Sequence, residues 1–91
     1  LALLGDMREL GQDSLSEHRK IVRRLSDGNI PAIVVGEEFG KALKAEGAEL
    51  LGWFGTSDEL AAYLETHPVK DTSILVKGSR GIQMEKVIEK L

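Results

Sequence analysis

Two short polar segments hold most of the side chains that could do chemistry: Gly5-Asp6-Met7-Arg8-Glu9 and Lys77-Gly78-Ser79-Arg80-Gly81. The second groups an ammonium, a guanidinium, a hydroxyl and glycine-flanked backbone N–H groups just ahead of a predicted helix. That combination suits a carboxylate or a phosphate, and Arg80 can grip a carboxylate through two parallel hydrogen bonds. The first segment offers Asp6 and Glu9, which suit a ligand ammonium or a pairing with Lys77 or Arg80. Together the two match a zwitterion. The plainer reading stands beside this one: a glycine after a strand can simply permit a tight turn, and loop lysines and arginines are commonly solvated. Neither segment is a Walker A sequence or a dinucleotide fingerprint, and no P-loop occurs anywhere in the chain, so phosphate binding has no motif behind it.

The remaining candidates read as structural. His18 falls on an apolar helical stripe, as a structural histidine hydrogen-bonded to the Asp6–Glu9 loop. His67, before Pro68, reads as a surface residue that ends a helix. With two histidines, no cysteine and no metal-like spacing of carboxylates, no metal site is expected. Arg19, Lys20, Arg23 and Arg24 form a basic helical face, either solvated or turned to a neighbouring domain. Few aromatic residues and a net charge of −3 argue against nucleic acid as a partner.

The elements that must position these groups follow from periodicity. Leu1–Leu4 is a buried strand stopped by Gly5. Ser14-Leu15-Ser16-Glu17 has the form of a capping box and opens a helix with Leu15, His18, Val22 and Leu25 inward, stopped at Asp27-Gly28-Asn29. Residues Ile30 to Gly36 make a strand that is apolar on both faces, the pattern of a covered parallel strand. Glu37 to Glu46 is a helix with Phe39, Ala42 and Leu43 inward, ended by Gly47. Leu50 to Phe54 is a weaker strand, with Trp53 and Phe54 packing at the core or an edge. Thr56-Ser57-Asp58-Glu59 is a second capping box, followed by a helix with Leu60, Ala61 and Leu64 buried and closed at His67-Pro68. Ser73 to Lys77 is the fourth strand, and Met84, Val87, Ile88 and Leu91 mark the last helix.

Strands alternating with helices over short connections predict one three-layer α/β domain spanning residues 1–91. It is Rossmann-like, with a mainly parallel sheet of about four strands in the order 3-2-1-4 and helices on both faces. That order makes the first and fourth strands neighbours where the winding reverses, which is where open α/β sheets bind ligands. At 91 residues, with 42% hydrophobic and 30% charged, the chain suits one modest core and is far from disorder. No apolar run approaches the ~20 residues of a membrane span, and no signal-peptide pattern is visible. The opening on Leu1-Ala2-Leu3-Leu4, inside a core strand, predicts that Leu1 continues a longer chain.

The two polar segments also carry a resemblance. Leu3-Leu4-Gly5-Asp6-Met7-Arg8-Glu9-Leu10-Gly11, followed by Ser16-Glu17-His18, is similar to the opening of the C-terminal domain of Mur ligases of the UDP-N-acetylmuramoyl-tripeptide–D-alanyl-D-alanine type. Ile74-Leu75-Val76-Lys77-Gly78-Ser79-Arg80-Gly81, with Met84-Glu85-Lys86-Val87, resembles the closing motif of the same domain. The motifs stand in the family's order and spacing, and the resemblance spans nearly the whole chain, the middle matching in pattern.

The resemblance implies a cytoplasmic bacterial enzyme of three domains that adds D-alanyl-D-alanine to UDP-linked muramoyl tripeptide in peptidoglycan precursor synthesis. ATP phosphorylates the tripeptide carboxylate, and the dipeptide amine then attacks the acyl phosphate. It implies Lys77, Ser79, Arg80, Asp6, Met7 and Arg8 on the dipeptide side, with Arg80 on its carboxylate and Asp6 orienting the loop or the amine. Gly5, Glu9, His18, Gly78 and Gly81 would support the loops. ATP and Mg2+ would be held mainly by the central domain, outside this sequence. The domain's partners would be the enzyme's own central and N-terminal domains and the two substrates, with no nucleic acid or membrane, in a monomer. Alone, this domain is expected to hydrolyse no ATP and form no amide bond. Two other readings use the same residues: a stand-alone Rossmann-like module binding a small anion or nucleotide without catalysis, and an interaction domain using the basic face of the first helix.

Overall fold

A computed structural model of the chain describes residues 1–7, 12–68, 73–78 and 82–88. Within these, four strands and four helices alternate: β1 (Ala2–Gly5), α1 (Ser14–Asp27), β2 (Ala32–Val35), α2 (Glu37–Glu46), β3 (Gly52–Phe54), α3 (Ser57–Thr66), β4 (Leu75–Lys77) and α4 (Glu85–Ile88). All three strand pairings are parallel and the order is β3-β2-β1-β4, as the alternating pattern predicts. The strands are shorter than their apolar runs. Ile30 and Leu51 lie outside β2 and β3 and are exposed.

The pleat sorts the central strands between two cores, because successive side chains point to opposite faces. Leu3, Ile33 and Val35 face Leu60 and Leu64 of α3, together with Ile82, Met84 and Val87. Ala2, Ala32 and Val34 face Val22 and Leu25 of α1 and Phe39 and Ala42 of α2. The helices thus cover the two sides of the sheet in pairs, α1 with α2 and α3 with α4, giving three layers. β2 is buried at every position, which is why its sequence is apolar without alternation.

Helix ends explain several local details. Gly47 adopts a left-handed conformation (φ 61°) and closes α2, the usual role of a glycine just past a helix. At α1 the left-handed residue is Asn29 (φ 51°), while Gly28 remains right-handed. The second capping box forms in part: Thr56 Oγ1 accepts the Glu59 N–H at 3.2 Å, while Glu59 reaches one residue past the N-cap, to the Gly55 N–H at 3.3 Å. The first does not. Asp13 is the N-cap residue of α1 and makes no side-chain cap, and Ser14, already in the helix, turns its hydroxyl to Glu38 at 3.1 Å. Leu15 is likewise exposed rather than on the buried stripe. At the start of α1 the Ser14 hydroxyl thus serves the contact with α2 rather than a local cap. Ile88 at the end of α4 is also exposed, and Leu91 lies outside the described residues.

α1 and α2 are clamped at both ends. Besides the Ser14–Glu38 bond, Glu46 at the end of α2 takes Arg19 Nη2 at 2.8 Å and also pairs with Arg23. Half of the basic face is therefore spent within the domain, while Lys20 sits beside Glu17 at 3.2 Å and Arg24 is exposed. Hydrogen bonds from Arg23 and then Arg19 hold the Glu46 carboxyl below its ordinary range. Among the described residues no helix is long and apolar enough to cross a membrane.

Candidate functional site

The order β3-β2-β1-β4 puts the carboxyl ends of β1 and β4 side by side, with Leu4 opposite Lys77. This is the point where the helices change face, the position at which open α/β sheets bind ligands. Gly5 and Gly78 make the close approach possible. A Cβ on Gly78 would lie 3.1 Å from the Gly5 Cα and 2.9 Å from both Ile82 Cγ2 and Met84 Cγ. One on Gly5 would meet the same two side chains at 2.6 and 2.8 Å. Ile82 and Met84, both buried, therefore pack directly on bare backbone at the base of the two exits. The first-motif glycine and the second-motif glycine are one packing unit.

The β1 exit is held by buried polar bonds. Asp6 is 2% exposed, and its carboxylate points to α2. Its Oδ2 accepts the Glu38 N–H and its Oδ1 the Phe39 N–H, each at 3.0 Å. These are the donors that an N-cap side chain ordinarily satisfies. The N-cap residue of α2 is Gly36, which has no side chain to offer, so the cap comes from another strand. A Cβ on Gly36 would lie 2.2 Å from the Asp6 carboxyl carbon. The carboxylate thus fills the space that a side chain at 36 would claim, and its charge suits the helix N-terminus.

His18 completes the arrangement from α1. Its ring is fully buried. The Met7 backbone N–H donates to Nε2 at 3.1 Å, so that nitrogen carries no proton. Nδ1 then holds the hydrogen and donates to the Ser14 carbonyl at 2.6 Å, which fixes the tautomer. The Asp6 carboxylate stands 3.9 Å from Nε2, beyond hydrogen-bond range, so the two are neighbours rather than an ion pair. The His18 and Phe39 rings meet edge to face, 4.6 Å between centroids. His18 is thus a structural histidine holding the loop after β1, by its first backbone N–H past Asp6.

Lys77 ends β4 and is exposed, next to Gly78. Arg8, Glu9, Ser79, Arg80 and Gly81, all expected at this site, lie outside the described residues. Sequence reasoning missed Gly36. The available signal was a helix starting Gly36-Glu37-Glu38 with no Ser, Thr, Asp or Asn at its N-cap, which leaves its first N–H groups to water or to a residue from elsewhere in the fold. His67 is exposed and stacks on Tyr63 at 4.2 Å, at the end of α3 as expected. Trp53, on the edge strand β3, gives its indole N–H to the Gly36 carbonyl at 2.7 Å.

Comparison with known proteins sharpens this picture. No protein-family model and no curated protein matches the chain. Two crystal structures of MurF from Acinetobacter baumannii do match its fold, each with a TM-score of 0.77. One is 32% identical over 99% of this chain and 21% of its own. The other is 34% identical over 99% of this chain and 20% of its own. The chain spans about one fifth of the length of those proteins, and over nearly all of its residues it has the Mur ligase fold of that segment.

Proposed function

We propose that this chain is the C-terminal domain of the ATP-dependent ligase that adds D-alanyl-D-alanine to UDP-N-acetylmuramoyl-tripeptide in peptidoglycan precursor synthesis, a cytoplasmic reaction. The observation that carries the reading is the match to one segment of MurF across 99% of the chain at 32–34% identity. Identity at that level, held over a whole domain with the motif-bearing strand exits adjacent, supports more than a shared Rossmann-like architecture.

In this reading the crevice between the β1 and β4 exits receives the dipeptide. Lys77, Ser79 and Arg80 supply the positive side, with Arg80 on the carboxylate, and Met7 and Arg8 flank it. The burial of Asp6 narrows its role: it orients the loop from below and does not meet the amine. The domain closes over a central ATPase domain, excluding water from the acyl phosphate. ATP and Mg2+ belong to that central domain. Among the described residues no three His, Cys, Asp or Glu side chains are grouped to hold a metal, and no step through either cofactor is assigned to this chain.

The test is ligation by the full-length protein that contains this domain, supplied with ATP, Mg2+, UDP-N-acetylmuramoyl-tripeptide and D-alanyl-D-alanine. Formation of the pentapeptide product is expected, with none from residues 1–91 alone. Turnover by residues 1–91, or no product from the full-length protein, overturns the proposal.

A further inference from the structure

We propose that Gly36 and Asp6 form a lock that makes α2 a positioning element for the β1 exit, so that the dipeptide side of the site is aimed by a helix that never touches it. The inference deepens the function proposed above and rests on it for the identity of the ligand.

The geometry carries it in three steps. First, the Asp6 carboxylate spends both oxygens on the Glu38 and Phe39 N–H groups, inside the space left by the missing side chain of Gly36. Second, Gly36 is itself fixed on every side. Its N–H donates to the Phe54 carbonyl at 2.8 Å, and its carbonyl accepts both the Trp53 indole at 2.7 Å and the Gly40 N–H at 3.1 Å. Its φ of 116° with ψ of 164° is a conformation nearly confined to glycine. Third, the residue after Asp6 is held by a different helix, through the Met7 N–H on His18, and His18 packs on Phe39, whose N–H Asp6 accepts. Two successive residues at the start of the loop are thus tied to α2 and α1. A residue needed only to cap α2 would require none of this coupling to Met7.

The measurement that separates positioning from capping is amide exchange in residues 1–91 and the variant Asp6→Asn, which keeps the volume of the side chain and removes its charge and one acceptor oxygen. The lock predicts at least tenfold faster exchange at Met7, whose N–H bonds to His18 and not to Asp6, along with faster exchange at Glu38 and Phe39. Faster exchange at Glu38 and Phe39 alone, with Met7 unchanged, overturns the proposal and leaves Asp6 as a cap. The pair His18→Gln and His18→Leu adds a rescue arm that leaves Asp6 and Gly36 in place. Glutamine can still accept the Met7 N–H, so it should retain most of the Met7 protection that leucine loses, and equal loss in both counts against the lock.

Titration with D-alanyl-D-alanine, followed at the amides of Gly5, Met7 and Gly78, connects the lock to the ligand. At least fivefold weaker binding by Asp6→Asn is expected, and binding within twofold of the native protein overturns the positioning role. If the native chain binds no dipeptide, the ligand assignment fails, while the Met7 exchange in ligand-free protein still decides the lock.

Discussion

The exits of β1 and β4 are neighbours in the sheet and opposites in construction. β1 ends in buried polar groups: a carboxylate capping a helix and an imidazole accepting a backbone N–H, both closed to solvent. β4 ends in an exposed lysine and a glycine resting on Ile82 and Met84. One exit is fixed by directional bonds whose loss leaves buried donors unsatisfied. The other is seated by apolar contact and presents charge to water. The proposed dipeptide site would benefit from both, since a rigid wall lowers the ordering cost on binding and an exposed cation supplies attraction at range.

If that contrast is right, the β1 side should be far more sensitive to mutation. Gly36→Ala is expected to cost the most. It sets a Cβ 2.2 Å from the Asp6 carboxyl carbon at a φ of 116°, combining backbone strain of about 1–3 kcal/mol with eviction of the cap, itself about 1–2 kcal/mol. Chemical denaturation should show a loss of about 3 kcal/mol or more, and a loss below 1 kcal/mol would break the comparison. His18→Leu comes next. It leaves the Met7 N–H without its acceptor and empties a fully buried ring site, for an expected loss of about 2 kcal/mol, read in the same experiment.

On the β4 side, Gly78→Ala should cost less than Gly36→Ala. Its Cβ meets Ile82 and Met84 at 2.9 Å and the Gly5 Cα at 3.1 Å. The two side chains can shift, and overpacking of this kind costs about 1–3 kcal/mol. A loss exceeding that of Gly36→Ala would show that the apolar seat, not the polar lock, is the stricter constraint.

The clamp between α1 and α2 adds a pH signature. Glu46 is held below the ordinary carboxylate value of 4.5, first by its hydrogen bond from Arg23 and then by that from Arg19. A carboxylate with a lowered folded value contributes stability that is fully present above the unfolded value and lost as pH falls through the folded one. The stability difference between the native chain and Glu46→Gln should therefore be constant above about pH 5 and shrink as pH falls below the ordinary value of 4.5. A difference that grows on acidification contradicts the assignment. Because this pair lies near the surface, the effect should be smaller than that of His18→Leu and should weaken with added salt.

How far the sequence foretold this arrangement depends on the range of the interaction. α2 was readable to the residue because its apolar stripe, acidic start and C-terminal glycine are all local. The strand order was readable because alternating elements with short connections leave few topologies. The burial of His18 was legible as well, from its place on an apolar stripe. What failed was the start of α1, where Ser14 answers to Glu38, and the lock at Gly36, whose partner lies 30 residues away. Capping rules look three residues ahead. A cap delivered across the sheet leaves only a negative trace, a helix whose first residue offers nothing.

The smallest structural effect should fall on the residue that the proposed function values most. Lys77 ends β4 at the edge of the sheet with its side chain in water, so Lys77→Gln removes a charge without opening a cavity or stranding a buried group. Its stability should stay within about 0.5 kcal/mol of the native protein. Affinity for D-alanyl-D-alanine should fall roughly tenfold, the scale of one charge-assisted hydrogen bond, at about 1.5 kcal/mol, and the loss should diminish at high salt. The two sides of the crevice then separate in a single table of variants, since those on the β1 side lose stability and binding together and Lys77→Gln loses binding alone. Unchanged dipeptide affinity in Lys77→Gln would remove β4 from the recognition surface, and the crevice would have to be read from the β1 side only.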